Sequence, residues 1–240
     1  MVFYFTATGN SMYVAKSLEE NIFSIPQEIQ GNCGFKDDTI GIVCPIYDYE
    51  IPRLVKNFLE KANFDTKYFY IILTHRDKCS VDISSMEDFL YSIGKKADYI
   101  NDITIFLNKF FEPEYEFDHC INKIRDDIFR RKKFKKDSKR IFNKTKKYYE
   151  YVYKVSDECV GCGICQKVCP VGCISIYNQR AYHNLLDNLG NLICENCGAC
   201  ISHCPKEAIS LNRNDKKIDF MGRNSNIRLI EIVNSNNQFK

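Results

Sequence analysis

The sequence predicts an α/β protein: a doubly wound parallel sheet followed by a small α+β module held together by metal. Three observations carry this expectation. From residue 2 to about residue 107, short apolar runs alternate with stretches of helical apolar spacing, as strand–helix–strand units require. Between Cys159 and Cys204 a run of four cysteines is written twice, and so short a module needs a bound metal for stability. A strongly basic stretch separates the two. The chain therefore divides into a sheet domain over 1–117, a basic helical segment over 118–154, the cysteine module over 155–212 and a tail over 213–240.

Length and composition set the bounds. A chain of 240 residues holds one or two domains. No apolar run approaches the roughly 18 residues of a membrane-spanning helix, so no membrane partner is expected. Met1 runs straight into Val2-Phe3-Tyr4-Phe5 without a charged n-region, so no signal peptide is expected. Thirteen cysteines in such a chain point to the reducing cytoplasm. The net charge of +3 conceals an asymmetry. Residues 1–117 carry 11 Lys and Arg against 18 Asp and Glu, whereas 118–154 carry 14 against 5.

Taken in order, residues 2–5 form a buried strand. Thr6-Ala7-Thr8-Gly9-Asn10-Ser11 follows, and Met12, Val14, Ala15 and Leu18 then repeat with helical spacing. A strand, a hydroxyl-rich loop and a helix N-terminus make an anion site: Thr6, Thr8 and Ser11 bring hydroxyls, Asn10 an amide, Gly9 an open backbone. The alternative is an ordinary capped turn. A weak strand is expected at 27–29 and a strong one at 39–44. Pro45, Ile46, Tyr47, Asp48, Tyr49 and Glu50 make the loop after it, and Pro52 opens a helix whose apolar face includes Leu54, Val55, Phe58 and Leu59. A strand at 68–73, a loop at 74–82, a helix at 84–95 and a strand at 100–107 complete the sheet. In such a sheet ligands gather beyond the carboxyl ends of the strands, where all three loops lie.

The cysteine run reads Cys159, Cys162, Cys165, Cys169-Pro170, then Cys194, Cys197, Cys200, Cys204-Pro205. The halves are offset by 35 residues and match again at Gly163/Gly198, Ile174/Ile209 and Ser175/Ser210. Such a repeat predicts two related halves that complete one another. The spacing resembles that of bacterial two-cluster ferredoxins, in which the fourth cysteine reaches the other cluster. One 4Fe–4S cluster is thus expected on Cys159, Cys162, Cys165 and Cys204, the second on Cys194, Cys197, Cys200 and Cys169. Zinc would suit paired Cys-x2-Cys units better, and disulfides would need an oxidising compartment. Five cysteines are left over: Cys33, Cys44, Cys79, Cys120 and Cys173. Cys173 aligns with Ala208, so it is expected to pack as a small core residue.

The loop Thr6-Ala7-Thr8-Gly9-Asn10-Ser11 resembles the flavodoxin phosphate loop, and with the cysteine module behind it the chain is similar to the flavodoxin–ferredoxin fusion proteins of anaerobic microbes. That resemblance implies a flavodoxin-like sheet and FMN. Its phosphate would lie on Thr6, Thr8, Gly9, Asn10 and Ser11, its ring between the Pro45, Ile46 and Tyr47 loop and the loop opening at Thr74. Tyr47 is the first choice for ring contact and Tyr49 the second; either could instead cover the sheet edge. One departure stands out. The stretch Thr74-His75-Arg76-Asp77-Lys78-Cys79-Ser80 has no glycine, where the family is glycine-rich. Arg76 and Lys78 there are either solvated or placed to favour a reduced ring, and His75 reads as a polar loop residue.

Residues 118–153 read as one or two helices with Ile121, Ile124, Ile128 and Phe129 as an apolar stripe. The run from Arg130 to Lys136 reads as a solvated face or a docking surface for an acidic redox partner; nucleic acid is the weaker alternative. The tail around 227–233 predicts a helix packing back on the sheet domain, with 234–238 fraying. The expected function is electron transfer coupling FMN to two 4Fe–4S clusters, as a carrier or a flavin-dependent oxidoreductase. The alternative is a ferredoxin-type carrier whose first domain binds no flavin and serves as a docking scaffold.

Overall fold

The computed structural model describes residues 1–47, 50–75, 83–105, 114–135, 151–186, 188–190, 192–213, 216–218 and 222–239. Asp48, Tyr49, Arg76, Lys78, Cys79 and Lys136 lie outside them. The chain forms two compact units: residues 1–5 with 10–143, and residues 6–9 with 144–240.

The first unit is a six-stranded sheet. Its strands are β1 (Val2–Tyr4), β2 (Ile22–Ser24), β4 (Thr39–Pro45), β6 (Tyr68–His75), β7 (Tyr99–Thr104) and β8 (Phe134–Lys135). They lie in the order β2-β1-β4-β6-β7-β8, every pair parallel. Helices α1 (Asn10–Leu18), α2 (Ile25–Glu28), α3 (Arg53–Lys61), α4 (Ile83–Ser92) and α5 (Glu114–Phe129) connect them. The switch of strand order falls between β1 and β4. Both central strands read as continuous apolar runs because both faces are covered: all eight residues of β6 are buried. The core gathers Phe3, Phe58, Phe35, Phe64 and Phe69, with ring centroids 4.4–6.1 Å apart. A two-stranded parallel pair, β3 (Gly34–Lys36) with β5 (Asn63–Asp65), carries Phe35 and Phe64 into it.

Four expectations need correction. Residues 25–28 form a helix rather than a strand, since Pro26 sits in the first turn and fixes a helical φ; the strand lies earlier, at β2. His75 is no loop residue. It ends β6, 9 % exposed, with Nε2 2.8 Å from Asp102 Oδ2. The basic stretch is not all helix: after α5 it turns at Arg131 (φ 49°) and adds β8 to the sheet. Nor does the tail fray at 235–236, which are 3 % and 0 % exposed in α8 (Leu229–Asn236).

The second unit holds β9 (Tyr151–Val155), α6 (Ile164–Lys167), β10 (Ile174–Tyr177), β11 (Arg180–His183), α7 (Ala199–Ser202), β12 (Ile209–Arg213), β13 (Lys216–Ile218) and α8. β10 and β11 form an antiparallel hairpin, while β12 lies between β13 and β9 in a second antiparallel sheet. This is a small ferredoxin-like α+β fold. Among the described residues no helix is long and apolar enough to cross a membrane.

Candidate metal centre

The sequence repeat is also a backbone repeat. Left-handed φ values recur at Gly161 (66°) and Asn196 (51°), Gly163 (75°) and Gly198 (69°), Gly172 (64°) and Glu207 (50°), each pair 35 residues apart. Gly163 and Gly198 each open a four-residue helix, α6 and α7, which carries the third cysteine of its run. At Gly161 the need for glycine is doubled. Besides the positive φ, a Cβ there would lie 2.6 Å from the Gln179 backbone.

Four of the eight cysteines share a cavity that joins the two halves. Cys159, Cys162 and Cys165 line one cavity together with Cys204 from the other half, closed by Val160, Ile176 and Ile209. Cys169, Cys194 and Cys200 lie, together with Cys165, in the buried core of Ile174, Ile201, Ile209 and Leu211; Cys197 is 8 % exposed. Among the described residues no His, Cys, Asp or Glu group closes tightly enough for a single ion. A cubane spreads its four thiolates over four irons and needs the wider spacing.

The surroundings treat the sulfurs unequally. Burial pushes the Cys197 and Cys200 thiols well above their ordinary range, and Cys165 up to about 11. Cys194 is held down to about 6, chiefly by a hydrogen bond from the Cys173 thiol, then by the Asn196 amide and Tyr153. Asn196 N–H donates to Cys194 Sγ at 3.4 Å, and Ala208 N–H to Cys204 Sγ at 3.3 Å. Tyr153 Oη stands 3.6 Å from Cys194 Sγ, and its ring stacks on His183 at 4.4 Å.

The loop at Thr6–Gly9 belongs to this second unit. Its three consecutive carbonyls accept from side chains and backbone of the C-terminal half: Thr6 O from Asn236 Nδ2 (2.8 Å), Ala7 O from His203 Nε2 (3.1 Å), Thr8 O from Asn224 N–H (2.9 Å). Asn236 Nδ2 also donates to Val168 O at 3.1 Å. Ile227 Cβ would lie 3.0 Å from a Cβ added at Gly9 (φ 97°). In trans peptides the N–H opposes the C=O, so the amides of Ala7, Thr8 and Gly9 face the other way. Gly9 N–H meets Thr6 Oγ1 at 3.1 Å.

In the first unit, Ser11 Oγ and Thr74 Oγ1 are 2.8 Å apart and buried. Ile46 N–H donates to Thr74 O, and Tyr47 exchanges backbone hydrogen bonds with Glu50 and meets the Phe5 ring edge-on at 6.5 Å. Pro45 pairs with Thr74 in register. Asn10 is the first residue of α1. A hydroxyl that accepts one hydrogen bond keeps its own proton to donate, which leaves Thr6 Oγ1 a proton and, within the first unit, leaves one of the Ser11/Thr74 pair another.

With this geometry in view, comparison with known proteins is decisive for one segment. Residues 158–209 match the family described as 4Fe-4S dicluster domain. The chain is 34 % identical over 80 residues to an uncharacterized ferredoxin of Methanocaldococcus jannaschii, a match covering 31 % of this chain and 46 % of that protein. It is 33 % identical over 57 residues to the PorD component of pyruvate synthase from Methanothermobacter marburgensis (24 % and 59 %). It is also 38 % identical over 53 residues to a component of an ion-translocating oxidoreductase complex from Methanosarcina acetivorans (22 % and 18 %). The matches thus span less than two thirds of each relative. The C-terminal part is an iron–sulfur, ferredoxin-type electron-transfer domain.

Cys173 is buried in the core as expected, 2 % exposed, with its Sγ 3.5 Å from that of Cys169. Sequence reasoning missed Tyr153, His203 and Asn236, which no pattern in the chain marked.

Proposed function

We propose that this chain carries electrons through two 4Fe–4S clusters, one on Cys159, Cys162, Cys165 and Cys204, the other on Cys169, Cys194, Cys197 and Cys200. The observation that carries this reading is the cavity in which Cys204 joins the three cysteines of the other half. Bound clusters supply one-electron redox chemistry. The protein supplies the thiolates, the amides of Asn196 and Ala208 that donate to them, and an apolar wall that excludes water. Anaerobically purified protein is expected to hold about eight iron and eight sulfide per chain. About four of each, or zinc, would overturn the two-cluster reading.

We further propose that the chain binds FMN, with Thr6, Thr8, Gly9, Asn10 and Ser11 as its phosphate groups and Pro45, Ile46, Tyr47 and Thr74 as its ring contacts. FMN exchanges one or two electrons and would link the clusters to two-electron partners. The parallel sheet with its order reversal between β1 and β4 supports this, as do the amides turned away from the bonded carbonyls. Thr8→Val with Asn10→Ala should weaken FMN by about 1.5–3 kcal/mol for each bond lost to charged phosphate and leave iron content unchanged. A second reading, a flavin-free docking scaffold, is favoured by the burial of Thr6, Ala7 and Gly9 under the C-terminal residues. Acid-released flavin from native protein decides for FMN; protein that takes up none at micromolar concentration decides for the scaffold.

A further inference from the structure

Among the cysteines outside the two sets of four, one lies inside the second set. Cys173 is 2 % exposed, and its Sγ is 3.5 Å from Cys169 Sγ. It also shares a hydrogen bond with Cys194. Two of the four sulfurs assigned to the second cluster thus touch one further thiol. The corresponding residue of the other half is Ala208, whose backbone N–H alone reaches Cys204 Sγ. Where one half of the repeat has a thiol the other has a methyl group, and the thiol lies on the side of the second cluster.

We propose that Cys173 is a fifth thiol of the second cluster, its single S–H shared between the Cys169 and Cys194 sulfurs and its sulfur able to replace Cys169 on iron. The proposal rests on the two-cluster reading above. In the first role the S–H stabilises the negative charge on the thiolate it meets, and more so after reduction, when the cluster would carry one more electron. The second cluster is then easier to reduce than the same fold would make it with alanine, as at Ala208. In the second role no electrons are exchanged. With Cys169 gone, the Cys173 thiol would give its proton to water and its sulfur would take the place on iron assigned to Cys169. The 3.5 Å separation leaves only a side-chain rotation and a small backbone adjustment between the two positions. Gly172, with φ 64°, stands immediately before Cys173 where such an adjustment would fall.

The test uses the full-length holoprotein, with iron content and redox titration followed by electron paramagnetic resonance. Cys173→Ala should keep about eight iron and shift one cluster, the second, to a more negative potential while leaving the other unchanged. Cys169→Ala should also keep about eight iron, with an altered spectrum for one cluster, whereas Cys169→Ala with Cys173→Ala should fall to about four. Loss of four iron in Cys169→Ala alone overturns the replacement. An unchanged pair of potentials in Cys173→Ala overturns the hydrogen-bonding role, and should Cys169→Ala fail to fold, this measurement decides by itself. Wild-type protein with only one cluster would instead defeat the two-cluster reading, a failure distinguishable from either.

Discussion

Glycine and histidine show how single residues set the second unit. Gly163→Ala meets open space, so its cost is that of the left-handed backbone, about 1–2 kcal/mol. Gly161→Ala carries the same cost and adds a clash with the Gln179 backbone, so it should lower stability further and release iron from the Cys159 cavity. Chelator-release kinetics of the two variants check the order; equal rates would contradict it. Burial pulls His183 down from 6.5 to about 4, and its Nε2 has no hydrogen-bond partner among the described residues. As pH falls through that window the unfolded chain takes up the proton first. Stability is therefore whole above about pH 6.5 and declines toward pH 4, by up to about 1.4 kcal/mol per pH unit. His183→Phe should flatten that slope in denaturant unfolding measured from pH 7 to 5. At this scale the cysteines were legible because cluster ligation imposes a fixed local spacing. Asn236 was not, since its partners Val168 and Thr6 lie 68 and 230 residues away.

Among the elements, the segment Arg130–Lys135 changed meaning most. Its charges face carboxylates of the same unit: Arg130 with Asp126, Arg131 with Asp38, Lys132 with Asp127, Lys133 with Asp98, Lys135 with Glu87. Composition showed an acidic first part and a basic stretch after it; the fold sets them against each other. Tyr68 Oη donates to Lys132 O, and Phe134 packs on Tyr99, which anchors β8 at the sheet edge. Lys135→Glu, facing Glu87 from a side chain 33 % exposed, should cost about 1 kcal/mol, against a few tenths for Lys133→Glu at 82 %. Chemical denaturation of each variant measures this. If an acidic redox protein docks here, Arg130→Glu with Lys133→Glu should also slow its electron transfer at low salt and lose that effect at high salt. The strong strands were legible from apolar runs. β8 was not, because two residues set in a run of charges carry no period, and the β3–β5 pair is too short to show one.

On the scale of the whole molecule, the α/β sheet and the metal module were readable because each follows from a pattern repeated many times. What could not be read was where the compact units divide. The sequence suggests domains laid end to end, yet Thr6–Gly9 belongs with residues 144–240. Removing residues 224–240 takes away the partners of Thr6 O and Thr8 O and one partner of Val168 O. Each buried carbonyl left unpaired costs about 1–3 kcal/mol. The truncated chain should therefore lose iron to chelator faster and expose the loop to proteolysis near Thr8. Full protection in the truncated chain would mean that these bonds hold nothing in place.

That loop also sets a timetable. Thr6 leaves the ribosome 230 residues before Asn236, and Thr8 a similar stretch before Asn224. At about 5–20 residues per second, the carbonyls of Thr6 and Thr8 wait on the order of tens of seconds, bonded to water, for these partners to emerge. The sheet can assemble during that wait, but the second unit closes only afterwards.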